Sequence, residues 1–170
     1  MKKPLWYATF ILMLIVSSFT LKAQSSNQSQ NAQPVLDWVN QTITESFTFN
    51  YTNYAQVIAV VSPKYSKQAY QSLLNYLKIT NDINAMINHR YSLSVSFAKN
   101  SMLVSQGVVN GNNAWNVQLY LKLSFENDKK VENVYQNILI NAQVVNSPAP
   151  DTDQIFMIQE IEFKEQMAPF

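Results

Sequence analysis

Cysteine occurs nowhere in the 170 residues, and that absence removes several chemistries together. Disulfides, thiolate nucleophiles, cysteine-ligated metals and lipid attachment through a thiol all need it. Stability therefore has to come from an apolar core. Glycine is nearly as scarce: there are two, Gly107 and Gly111, and neither opens a GxGxxG or GxxxxGK phosphate loop. Nucleotide binding through such a loop is excluded. His89 is the only histidine, so a zinc site would have to rest on carboxylates, which rarely suffice. A Ser-His-Asp triad would need the same His89, yet no nucleophile elbow accompanies it. Its place at the end of a helical stretch, near the negative end of the helix dipole, is the simpler account. Charge is sparse as well, with twelve Lys and Arg against eleven Asp and Glu. No basic excess exists to hold a nucleic-acid backbone.

What is present begins with Lys2 and Lys3, an apolar run from Leu5 to Phe19, and then polar residues with the small Ala23. That is the order of a secretory signal peptide, so residues 1–23 are expected to direct export and be removed. An uncleaved anchor is the competing reading, because Leu5 to Leu21 covers 17 positions, the lower limit for a hydrocarbon core of about 30 Å. Thr9, Ser17, Ser18 and Thr20 weaken such a span. Loss of Lys2, Lys3 and Lys22 with the leader leaves nine basic and eleven acidic residues, a net charge near −2. Residues 24–33 hold only Gln, Ser, Asn and Ala, too little apolar surface to order, and are expected to form a disordered tether. One folded domain over 34–165 and a tail over 166–170 account for the rest.

The domain opens with helical spacing. Val35, Leu36, Trp38, Val39 and Ile43 predict a helix from Pro34 to about Phe47, and Tyr54, Val57, Ile58 and Val61 a short one from Asn53 to Val61. Ser62-Pro63 reads as the start of a third helix, Lys64 to Leu77, with Tyr65, Ala69, Leu73, Tyr76 and Leu77 on its inner face. A fourth, Asp82 to His89, starts at Asn81 or Asp82 and places Ile83, Met86 and Ile87 on one side. Beyond Arg90 the period drops to two: Tyr91, Leu93, Val95 and Phe97 alternate with small residues. Met102 to Val109 predicts a separate strand, Asn110-Gly111 a tight hairpin turn, and Trp115 to Leu123 its partner. Gly107 is expected to mark a bulge. After a turn at Asn127-Asp128 comes a long strand, Val131 to Val145. A loop at Ser147-Pro148-Ala149-Pro150-Asp151 then leads to a last strand, Ile155 to Phe163. Helices followed by a meandering sheet predict an α+β fold with the helices on one face.

The segments VLDWVNQTITESFTFNYTNY, SPKYSKQAYQSLLNYL and above all QGVVNGNNAWNVQLYLKLSF resemble the periplasmic domain of the IcmL/DotI family of type IV secretion components, whose conjugative relatives are TraM-like proteins. The resemblance runs from Val35 to Lys164. It implies a curved antiparallel sheet wrapped around helices, in the manner of cystatin or nuclear transport factor folds. It also implies a role in assembling a secretion apparatus without catalysis, with other protein subunits or further copies of itself as partners, no nucleic acid and no cofactor, in the periplasm. It brings no catalytic residues to carry over. Members of the inner-membrane complex usually place a cytoplasmic tail before the apolar helix, whereas only Met1 to Pro4 precede the run here. A soluble paralogue is therefore the expectation, as an accessory subunit, a regulator or a protein acting outside the machine, among which the sequence does not decide.

The carboxylates Asp151, Asp153, Glu160, Glu162 and Glu165 lack the spacing of a calcium loop and read as a solvated rim. Glu126 with Asp128, and Glu160 with Glu162, would serve as acid and base only inside a pocket. Nine Tyr, nine Phe and three Trp serve packing first. Tyr51, Tyr54, Tyr120 and Tyr135 are the candidate interface anchors, because Tyr combines large apolar area with a polar tip. A second reading makes the concave side of the sheet a pocket for a small molecule or substrate. A third makes the chain an exported effector-like or toxin-neutralising protein. An inward carboxylate facing a Tyr hydroxyl would favour the second.

Overall fold

The first helical repeat folds as α1 (Gln33–Ser46), with Pro34 in its first turn, where no N–H is needed. The computed structural model describes residues 32–79, 82–127, 129, 133–147 and 155–167. The leader and anchor readings at 1–23, most of the tether, the cap at Asn81, Asp128, the strand start at Val131, and Asp151 with Asp153 lie outside the described residues, as does the end of the tail. After α1 come β1 (Phe49–Asn50), α2 (Tyr54–Val61), a 3-10 turn (Ser62–Lys64), α3 (Lys67–Ile79) and α4 (Asp82–His89). Four strands follow: β2 (Tyr91–Val109), β3 (Asn112–Asn127), β4 (Asn133–Asn146) and β5 (Phe156–Gln166). The five strands pair antiparallel in chain order, β1-β2-β3-β4-β5, and the expected α+β class holds.

Burial follows the periods. Val35, Val39 and Ile43 of α1, Ile58 and Val61 of α2, Ala69, Leu73 and Leu77 of α3 and Met86 of α4 meet Leu119, Leu121, Leu123, Ile138, Ile140 and Ile158 of the sheet in one core. Each such Val, Leu, Ile or Met side chain stabilises the fold by about 1.5–3 kcal/mol when fully buried. Ile87, expected to face inward, is 43% exposed. The four-residue advance from Ile83 carries it past the edge of the sheet-facing stripe.

Three further expectations need correction. Ser62-Pro63 does not start α3: it forms the 3-10 turn, and Tyr65 then runs extended and bridges Ile158 in parallel. The helix starts at Lys67, where Ser66 Oγ accepts from Ala69 N at 3.1 Å and donates to Gln159 O at 2.7 Å. Ser66, not Ser62, is the cap. Secondly, the strand over 91–98 and the strand over 102–109 are one element, β2, bent by register shifts between Phe97 and Lys99, Lys99 and Met102, and Leu103 and Ser105. Ser101 Oγ donates to Asn40 Oδ1 at 2.5 Å, tying the bend to α1. Thirdly, Gly107 marks no bulge, since it pairs in register with Ala114.

The Asn110-Gly111 turn is as read: φ is 51° at Asn110 and 82° at Gly111, the two positive values of a type I′ hairpin. A Cβ on Gly111 would meet no atom within 4 Å. Gly111→Ala is therefore expected to lose about 1 kcal/mol through backbone strain alone, read as a shift in the denaturation midpoint. A loss below a few tenths would show that the hairpin tolerates another turn geometry.

Candidate functional site

Because β3 and β4 alternate, the residues between the buried positions form a second face, turned away from the helices. The register lines these residues up in rows across the strands. One row is Ser105, Asn116, Gln143 and Glu160; the next is Met102, Gln118, Asn141 and Glu162; a third is Lys99, Tyr120, Leu139 and Lys164. Beyond them stand Ser96, Lys122, Asn137 and Gln166, then Ser94, Ser124 and Tyr135. Amides and hydroxyls dominate.

These side chains are joined. Asn116 Nδ2 donates to Ser105 Oγ at 2.8 Å, and Gln143 Nε2 to Asn116 Oδ1 at 3.3 Å. In the neighbouring row Tyr120 OH donates to Gln118 Oε1 at 2.6 Å, Gln118 Nε2 to Asn141 Oδ1 at 2.9 Å, and Asn141 Nδ2 to Glu162 Oε2 at 3.2 Å. Chemistry fixes the direction of this chain. An ionised carboxylate only accepts, so Asn141 must turn its Nδ2 to Glu162 and its oxygen to Gln118, whose own oxygen is then left for the tyrosine. The Asn141 amide and, behind it, the Lys164 ammonium at 3.2 Å hold Glu162 below the usual carboxylate range. A depressed carboxylate contributes stability that is present above its unfolded pKa and lost as the pH falls through the folded one, so the chain persists through neutral and weakly acidic conditions.

Two cations lie on two rings of the same face. Lys99 Nζ is 4.9 Å from the Tyr120 centroid, and Lys122 Nζ 3.7 Å from that of Tyr135, which is 52% exposed. A cavity of about 530 Å³ lies over the two amide rows, bounded on the β5 side by Gln68 and Ser72 of α3. Among the described residues no cluster of three or more His, Cys, Asp or Glu is placed to hold a metal ion, and no helix is long and apolar enough to cross a membrane.

Of the four tyrosines singled out in the sequence, Tyr120 and Tyr135 share this face, while Tyr51 and Tyr54 pack half-buried against the core around β1 and α2. Tyr51 N donates to Tyr91 O at 3.2 Å, and Asn50 Oδ1 accepts from the N–H groups of Thr52 and Asn53, so this turn is internally held. His89 ends α4 and stacks on Tyr91, centroids 5.3 Å apart. Glu160 and Glu162 share a face, as alternation predicts. The amide rows escaped the sequence reading, because isolated Asn and Gln residues carry no motif; only the strand register aligns them.

The family of type IVb secretion-system inner-membrane complex components, DotI and IcmL, matches residues 20–165. No curated protein matches the sequence. Solved structures with this fold include the periplasmic domain of DotI, 21% identical with a TM-score of 0.70, covering 76% of this chain and 92% of that one. A periplasmic fragment of TraM is 16% identical with a TM-score of 0.71, covering 81% and 98%. An IcmL-like type IV secretion protein from Legionella pneumophila is 14% identical with a TM-score of 0.69, covering 81% and 94%. At these identities the three structures speak for the fold, and the family match over most of the sequence speaks for descent. The chain belongs to the DotI/IcmL family of type IVb secretion-system inner-membrane complex components.

Proposed function

We propose that this chain is an exported, non-catalytic subunit or accessory factor of a type IV secretion apparatus, working in the periplasm by docking other subunits on the open face of its sheet. The observation that carries the reading is the pair of lysine-capped tyrosines, Tyr120 and Tyr135, set among hydrogen-bonded amides on the face of the sheet opposite the core. Such rings bury large area on docking at low entropic cost. Tyr51 and Tyr54, half-buried in the fold, serve the domain's own packing in this reading.

The test is affinity purification of the tagged chain from its native envelope, with mass spectrometry of what accompanies it and mapping of its N-terminus. Secretion subunits are expected to be recovered with the parent chain, and recovery to fall by about tenfold or more when Tyr120→Ala and Tyr135→Ala are combined, the loss of two anchors of at least ~1 kcal/mol each. Recovery of the chain alone sinks the assembly role. Undiminished recovery with the double variant moves the docking surface elsewhere. A terminus at Gln24 gives a soluble periplasmic subunit, and an intact leader gives an anchored one.

A further inference from the structure

We propose that the groove over Asn116, Gln118, Asn141 and Gln143 binds a neutral glycan chain laid across the strands, an activity separate from the docking of subunits on Tyr120 and Tyr135. Each of these amides has two N–H protons and a carbonyl with two lone pairs. The hydrogen bonds within the rows use one N–H of each amide and one lone pair of Asn116, Gln118 and Asn141. Every amide thus keeps a donor and an acceptor for a ligand, with its orientation already set by its neighbours. Adjacent hydroxyls of a sugar each donate and accept; a planar amide answers both at once, and a carboxylate accepts from either. Ser105 and Glu160, at the ends of the first row, extend the same chemistry to the two sides of the groove.

The lining also says what is refused. Among the described residues it contains no Lys, Arg or His, and Glu160 adds negative charge beside Glu162, whose own charge is paired with Lys164, so phosphorylated and other anionic ligands find no cation in the groove to hold them. Apolar ligands find little: Val104 is exposed, but Val117, Ala142 and Ile161 are buried in the floor. Spacing separates a glycan from a peptide. Successive amides of one row sit on neighbouring strands, about 4.8 Å apart, close to one pyranose unit. An extended peptide repeats its backbone groups every two residues, roughly 6.7 Å, and falls out of step across the same row. The cavity, about 530 Å³, takes a short oligosaccharide rather than a single small ion.

The experiment is a titration of the full chain, labelled with nitrogen-15, with tri-N-acetylchitotriose and separately with maltotriose. The side-chain amide resonances of Asn116, Gln118, Asn141 and Gln143 are expected to move with at least one of the two sugars and to saturate in the millimolar range or below. Asn141→Ala should weaken binding by about tenfold, the equivalent of one or two lost hydrogen bonds, and Asn141→Ser, which keeps a shorter polar group, by less. Gln71→Ala, on the exposed side of α3, should change nothing. Silence of the four resonances with both sugars overturns the proposal, as does binding that Asn141→Ala leaves intact. A cationic peptide that moves the same resonances where the sugars do not also overturns it and assigns the groove to Glu160 and Glu162.

Discussion

Phe47→Ala is expected to cost about 3–5 kcal/mol, against a total stability of about 5–15 kcal/mol for a domain of this kind. Phe47 is fully buried immediately after α1, with its N–H bonded to Ile43 O at 3.1 Å. Its ring meets Tyr76 of α3 edge-on at 6.2 Å and Phe163 of β5 edge-on at 6.1 Å, while Tyr76 and Phe163 stack at 4.5 Å. Three elements distant in sequence thus share one aromatic cluster, and the void left by alanine cannot collapse without moving all three. Chemical denaturation should show a lower midpoint, and Phe47→Leu, which refills most of the volume, should recover all but about 1.5 kcal/mol. A cost for alanine below about 1 kcal/mol would mean that α1 repacks freely on the sheet, contrary to the geometry.

The second large effect concerns the buried pair Ser46 and Tyr65, whose oxygens are 2.7 Å apart. Ser46 spends its only proton on Thr42 O at 2.7 Å, so the tyrosine must donate to the serine. Ser46→Ala then strands a buried phenol, at about 1–3 kcal/mol, whereas Tyr65→Phe removes donor and hydroxyl together and should cost about 1 kcal/mol. In the double variant the alanine should add little once the phenol is gone. Burial lifts the Tyr65 phenol far above its ordinary range; the Ser46 hydrogen bond offsets part of this and the charge of Glu45 adds to it. A raised pKa contributes stability that is complete below the unfolded value, about 10, and declines as the pH rises above it, because the unfolded chain releases a proton the folded one keeps. Stability curves above pH 10 should therefore fall more steeply for the parent than for Tyr65→Phe. Parallel curves would show that Tyr65 ionises without unfolding.

The helices and the hairpin were legible because each rests on local chemistry: a 3.6 period under Val35, Val39 and Ile43, and a left-handed turn that Asn110-Gly111 accommodates. Register was not. Counting back from the hairpin turn pairs Phe97 with Ser124, whereas three one-residue shifts pair it with Leu121. Each shift exchanges the two faces of the strand, and nothing in Ala98-Lys99-Asn100-Ser101 announces that the strand continues through them. β1 is two residues long, too short to show a period. The cap at Ser66 depends on a carbonyl 93 residues away, so Ser62-Pro63 was the stronger local signal and the wrong one. The open face failed to show for the same reason as β2: Asn116, Gln143 and Glu160 become neighbours only once the register is known.

The bridge from Tyr65 and Ser66 to Ile158 and Gln159 sets an order of events for a chain that emerges N-terminus first. Ser66 N reaches Ile158 O at 2.8 Å, so the start of α3 is held by the last strand as well as by its sequence neighbours. Until β5 arrives, Tyr65 has no strand beside it, Phe47 and Tyr76 lack their third ring, and one edge of β4 stands open. The helices can form early, but closure waits for residues near position 158, after which core, cap and cluster complete together. Such late closure leaves the chain without its finished core for most of its synthesis, a state in which it can still be threaded through a narrow passage.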